Sequence, residues 1–140
     1  MTNCRIYIDG IFDVFHRGHV EILKKCKEYK NNATLIVGII SDKDATEYKR
    51  KPIYNEDDRY TIIKSIKYVD EIVFNSPLII TKDFIKKHKI DIVLHGFSND
   101  KDISKQKEFT ESINDIFEII PYYKNISTTK IIEDLKNVDL

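Results

Sequence analysis

Net charge is missing from this sequence. Its 23 Lys and Arg are matched by 23 Asp and Glu, so its overall field has nothing to draw in a nucleic acid or an anionic membrane. Any anion site must be local. Cysteine is scarce: Cys4 and Cys26 set no disulfide framework, and both fall in apolar segments where buried free thiols are expected. No apolar run approaches the roughly 20 residues of a membrane helix. Met1-Thr2-Asn3 leads straight into a strand-like stretch rather than a signal peptide, so a cytoplasmic protein is expected. Repeats, low-complexity tracts and linkers are also lacking, and 140 residues suit one domain with a real core.

What is present is alternation. Residues 4–8 read as a strand, and from Gly18 to Lys30 the apolar positions Ile22, Leu23, Cys26 and Tyr29 keep helical spacing. Residues 34–40 form a near-continuous apolar strand, as in a parallel sheet covered on both faces. Residues 42–58 are polar and read as a loop with at most a short helical turn; Asn55-Glu56-Asp57-Asp58 then cap a helix from about Arg59 to Ser65. Further strands are expected at 71–74, 91–94 and 116–120. Thr81 caps a helix over 82–88, residues 97–105 read as a loop before another helix, and Ser127-Thr128 opens a last one over 129–136. This β-α-β-α order predicts an α/β fold with a doubly wound, five-stranded parallel sheet.

The chemistry gathers at one turn. His16-Arg17-Gly18-His19 lies between the first strand and the first helix. Two imidazoles three residues apart at a helix start predict a small cationic, hydrogen-bond-donating site, and the glycine between them lets a phosphate approach the backbone. In a doubly wound sheet, ligands bind beyond the C-terminal strand ends. That edge also receives Lys49 and Lys51 after the second strand, and Ser127 and Thr128 after the fifth. Imidazoles, ammonium groups and hydroxyls at helix starts suit phosphate.

In order along the chain, Asp9 to His19, Leu35 to Ile39 with Ser41-Asp42, Asn55-Glu56 with Arg59-Tyr60, Lys67 to Val73, and Ile126 to Ile132 resemble the cytidylyltransferase family. That family lies within the nucleotidyltransferases that share a His-x-Gly-His motif. The resemblance implies a Rossmann-like fold, a homodimer, and transfer of CMP from CTP to a phosphorylated alcohol with release of pyrophosphate, with Mg²⁺ held mainly by the CTP phosphates. It implies catalytic roles for His16, His19 and Lys49. It implies nucleotide binding by Gly10, Ile11, Phe12, Gly18, Ser127 and Thr128, and acceptor contacts from Asp13, Lys51 and His95. Arg59 is expected to support the site and a subunit contact, and Tyr68 to Glu71 to be structural. No protein ligand set for a metal is evident.

The chain departs from the family in two places. Where the family has Arg-Thr-x-Gly before Ile-Ser-Thr, this sequence has Tyr122-Tyr123-Lys124-Asn125, so Lys124 is the expected source of the missing arginine's charge. Choline-phosphate enzymes carry a tryptophan where this chain has Leu78, and acidic residues where it has Gly96-Phe97. Phe97, Asp100 and Asp102 are the candidates to replace them. The spelling favours phosphocholine or phosphoethanolamine as acceptor. The alternatives are glycerol 3-phosphate or another polyol phosphate, and a CTP-binding module that has lost turnover. Ile132, where adenylyltransferases of the group carry arginine, points away from ATP.

Overall fold

The computed structural model describes residues 3–97, 100–121 and 126–139. In chain order the elements are β1 (Arg5–Gly10), α1 (Arg17–Glu28), β2 (Thr34–Ile39), α2 (Asp42–Tyr48), α3 (Glu56–Lys64), β3 (Glu71–Phe74), α4 (Lys82–His88), β4 (Ile92–Phe97), α5 (Asp100–Phe109), a 3₁₀ segment over Glu111–Ile116, β5 (Phe117–Pro121) and α6 (Thr128–Lys136). All strands run parallel, in the order β3-β2-β1-β4-β5. The order reverses at β1, and the crevice outside the ends of β1 and β4 is the place where such sheets bind ligands.

The central strands are buried on both faces, which is why they read as unbroken apolar runs. Ile6 and Ile8 of β1, Leu35, Val37 and Ile39 of β2 and Leu94 of β4 pack with Ile22, Leu23 and Cys26 of α1 and Ile63 of α3. The alternate residues Tyr7, Ile36 and Val93 face the opposite layer, with Ile80, Ile90 and Ile113. A one-residue slip of any of these strands would exchange the two layers.

Four differences from the sequence expectation are seen, and three of them have local causes. The segment read as a loop contains α2, because Ser41 is a helix cap as well as a strand stop: its Oγ accepts the Asp44 N–H at 3.1 Å, with Asp42 and Asp44 in the first turn. Helix α3 starts at Glu56 because Asn55 caps it alone, accepting from Asp58 N at 2.8 Å. Helix α5 begins at Asp100, inside the expected loop, and β5 runs one residue further, through Pro121, which needs no ladder N–H at a sheet edge.

Candidate active site

The loop between β1 and α1 is strained. Phe12 and Val14 both adopt left-handed backbone, with φ of 54° and 46°. For a bulky and a β-branched residue this costs of order 1–3 kcal/mol each. The surroundings hold it. The Asp13 carboxylate accepts the N–H groups of Val14 (3.1 Å), Ile53 (2.8 Å) and Tyr54 (2.9 Å), and the Asp13 carbonyl accepts the Thr128 hydroxyl at 2.7 Å. Arg59, with 0% of its surface exposed, donates to the carbonyls of Ile11 (2.8 Å), Ile40 (2.8 Å) and Tyr54 (3.0 Å) and to the Asp42 carboxylate (2.7 Å). The Asp13 carboxylate is engaged by backbone and clamps the loop. One expectation is corrected here. Arg59 supports the site from within and has no exposed surface for a subunit contact.

The loop ends in a reciprocal cap. His16 is the N-cap of α1, and its Nδ1 accepts the Gly18 N–H at 2.9 Å; His19 Nδ1 accepts the His16 N–H at 3.2 Å. The rings stack with centroids 3.9 Å apart. Because each Nδ1 is an acceptor, each neutral ring carries its proton on Nε2. Burial lowers the His16 pKa. It takes His19 down to about 3, with the neighbouring His16 and Lys49 adding to the shift. The imidazoles are therefore neutral donors at pH 7, and the expectation of a cationic pair is corrected: desolvation removes the charge and leaves the N–H groups. Gly18 is required where it stands, since a Cβ there would lie 2.6 Å from the His16 ring.

Beyond the strand ends opens a cavity of about 610 Å³. Gly10, Ile11, Phe12, Asp13, His19, Lys49, His95, Ser127 and Thr128 line it, which unites nine of the residues singled out in the sequence. His16 stands behind His19, its Nε2 buried and without a partner among the described residues. Lys51 is not part of the lining; it lies over a second, shallower depression with Asp42, Thr46 and Ile53. Lys124 and its neighbours Tyr122, Tyr123 and Asn125 lie outside the described residues, as do the side chains of Phe97 and Asp100.

The cavity has two chemical halves. On one side are the start of α6, with Ser127, Thr128 and Thr129, and the end of α2, with Lys49 and Arg50. On the other are Asp9, Tyr48, His95 and Asp102, joined by His95 Nε2 to Asp102 at 2.8 Å and by the Tyr48 hydroxyl to Asp102 at 3.2 Å. Lys49, the C-cap of α2, is part of the lining. Desolvation and the adjacent Arg50 cation pull its pKa below the usual lysine value, while Asp102 raises it. Asp9 is pushed up to about 6, mainly by desolvation. Sequence reasoning missed Asp9, Tyr48 and Arg50 as lining residues. The first is the penultimate residue of β1, and the other two are the last residue of α2 and a residue just beyond its C-cap, in the segment read as a loop.

A family model described as cytidylyltransferase-like matches residues 7–134, and the chain belongs to that family. It is 32% identical to choline-phosphate cytidylyltransferase 2 of Arabidopsis thaliana over 136 residues, which cover 97% of this chain and 43% of that protein. It is 37% identical to FAD synthase of Pyrococcus horikoshii over 142 residues, covering 96% of this chain and 93% of that protein. The chain thus spans less than half the length of the choline-phosphate relative and nearly all of the other. Among solved structures, the lipopolysaccharide core biosynthesis protein from Thermoplasma volcanium superposes with a TM-score of 0.68 at 24% identity, over 88% of this chain and 98% of that one, a likeness of fold.

Proposed function

We propose that the protein transfers CMP from CTP to a phosphorylated amino alcohol, phosphocholine or phosphoethanolamine, releasing pyrophosphate. The observation that carries this reading is the two-sided cavity: a phosphate-seeking half of cations, hydroxyls and neutral imidazole donors faces a half with two carboxylates and a tyrosine. A zwitterionic acceptor, phosphate at one end and ammonium at the other, matches both. A neutral polyol phosphate offers Asp9 no counter-charge.

The acceptor phosphate is itself the nucleophile, so the protein supplies no strong base. One of its oxygens forms a bond to the α-phosphorus of CTP. The bond from that phosphorus to the bridging oxygen breaks, and its electron pair leaves with pyrophosphate. His19 Nε2–H and the Lys49 ammonium stabilise the charge that spreads over the phosphoryl oxygens, in a site already organised for it. The start of α6 receives the outer phosphates. Among the described residues no cluster of three His, Cys, Asp or Glu side chains forms a metal site. Mg²⁺ would enter on the phosphates of CTP.

Two free thiols, and no described helix long and apolar enough to cross a membrane, accord with the cytoplasmic setting we propose. The product, a CDP-alcohol, suits phospholipid synthesis. We also propose a homodimer, in line with half-exposed Phe74 on the edge strand β3, and sedimentation at micromolar concentration reads that state. A second reading comes from the whole-length likeness to FAD synthase, which counters the argument from Ile132 and makes a flavin phosphate the rival acceptor.

Pyrophosphate release separates these readings. CTP and ATP are each offered with phosphocholine, phosphoethanolamine, glycerol 3-phosphate and FMN. Release with CTP and a phosphoamine is the expected result. Release only with FMN replaces the reading by flavin nucleotide synthesis, and CTP binding without release in any arm makes the protein a binding module. In the same assay, Asp9→Asn is expected to raise the KM for the phosphoamine about tenfold or more while leaving that for CTP unchanged. Protonation removes the Asp9 charge as pH falls through about 6, so wild-type affinity for the amine weakens in that direction and the variant's does not. An unchanged KM in Asp9→Asn would take the carboxylate out of acceptor recognition.

A further inference from the structure

We propose that Arg50 is the guanidinium that grips the outer phosphates of the bound triphosphate, doing from the α2 side of the cavity what no arginine does from the segment before α6. The inference rests on the nucleotidyl-transfer reading of the cavity and adds a residue that the motif comparison passed over.

Four buried side-chain polar atoms lack a hydrogen-bond partner among the described residues: Tyr7 Oη, Ser76 Oγ, His16 Nε2 and Arg50 Nε. The first two lie together against Gly38, where a Cβ would fall 2.1 Å from the tyrosine oxygen and 2.8 Å from the serine. Of the other two, His16 stands behind His19, and Arg50 lines the cavity beside Lys49 and Thr129. Native proteins seldom leave a buried donor empty, and a charged donor least of all. An anion in the cavity would satisfy Arg50.

Placement agrees. Arg50 is anchored by its own N–H, which donates to the Ala45 carbonyl at 3.1 Å, so the side chain leaves from the end of α2. It crosses to the first turn of α6, where Nη1 donates to the Thr129 hydroxyl at 3.3 Å. That bond is long, and a hydroxyl is a weak partner for a guanidinium. Among the described residues Arg50 forms no ion pair. Next to it, Lys49 is held below its ordinary pKa in part by the Arg50 charge, the mark of two cations without enough anion between them. The three features — an empty Nε, a weakly engaged Nη1 and an uncompensated charge — are supplied together by one phosphate taken in bidentate fashion, a geometry that lysine cannot copy. The neighbouring Lys51, which sequence reasoning preferred, faces the other depression.

The test uses inorganic tripolyphosphate as the probe, followed by calorimetry, because it reads the phosphate site without the base or the acceptor. Wild-type protein is expected to bind it, and Arg50→Gln to bind it about ten- to a hundredfold more weakly. Arg50→Lys is expected to recover less than half of that loss on a logarithmic scale. CMP, which lacks the outer phosphates, should bind wild type and Arg50→Gln alike. Equal tripolyphosphate affinity in wild type and Arg50→Gln overturns the proposal, as does an equal loss for CMP, which would mark a general disturbance of the cavity. Thermal unfolding confirms that each variant is folded before it is compared. Failure of the function reading looks different: wild type then releases no pyrophosphate with any acceptor, whether or not Arg50 governs tripolyphosphate binding.

Discussion

His19→Ala is expected to slow pyrophosphate release by about 10²–10³, roughly 3–4 kcal/mol of transition-state stabilisation, while CTP still binds. His19 Nε2–H is a preset donor in the cavity wall: its Nδ1 is taken by the His16 N–H, and the ring is sandwiched between His16 and Phe15. Removing it also removes one half of the α1 cap, a loss of about 1 kcal/mol that should not unfold the protein. Single-turnover rates separate this from a binding defect, and a rate within threefold of wild type would remove His19 from the chemistry. The pH dependence carries a second signature. Folded His19 stays neutral down to about 3, so the rate should show no histidine inflection near 6.5, as an acid–base histidine would produce. Stability behaves differently. The unfolded chain protonates this histidine near 6.5 and the folded protein only near 3, so the unfolded state binds the extra proton between those values. His19 therefore contributes a loss of stability as pH falls from about 6.5 towards 3, opposed in part by Asp9, whose folded pKa of about 6 works in the other direction. In His19→Ala that acid-side loss should be smaller.

Arg59→Ala is expected to lower the unfolding free energy by about 3 kcal/mol or more, the largest stability effect of any single substitution at the site. The side chain has no surface in contact with solvent and serves three backbone carbonyls and one carboxylate. Each carbonyl left without a donor costs roughly 1–3 kcal/mol, less where water can enter. Asp42 keeps 41% of its side-chain surface exposed, so the ion pair itself is worth much less than a fully buried one. The effect should therefore lie mainly in the loop that Arg59 braces. Arg59→Lys, which can satisfy one or two of the four acceptors, is expected to fall in between. Chemical denaturation measures all three proteins. If Arg59→Ala unfolds within 1 kcal/mol of wild type, the left-handed Phe12 and Val14 are held by something other than this residue.

Much of this was legible in the amino-acid order. Uninterrupted runs such as Leu35 to Ile40 mark strands buried on both sides, and the cap residues Thr81 and Ser127 announce their helices through short-range bonding that needs no tertiary context. The turn at His16 to His19 was legible for the same reason, since its cap is closed within four residues. The rest depends on burial, which spacing does not encode. The charge state of the imidazoles follows from the mass packed around them. The Asp13 oxygens take the N–H groups of Ile53 and Tyr54 from far along the chain. Of the run Lys49-Arg50-Lys51, the first two enter the cavity and the third does not, because α2 ends where a loop was expected and sets their directions.

The bond from Thr128 to the Asp13 carbonyl joins residues 115 positions apart. The sheet can form from β1 to β5 without it, but the histidine loop is then left without the hydroxyl that fastens it. The order of the turn that carries His16 and His19 is thus set in part by a helix distant in the chain. Whatever loosens the first turn of α6 loosens that turn as well.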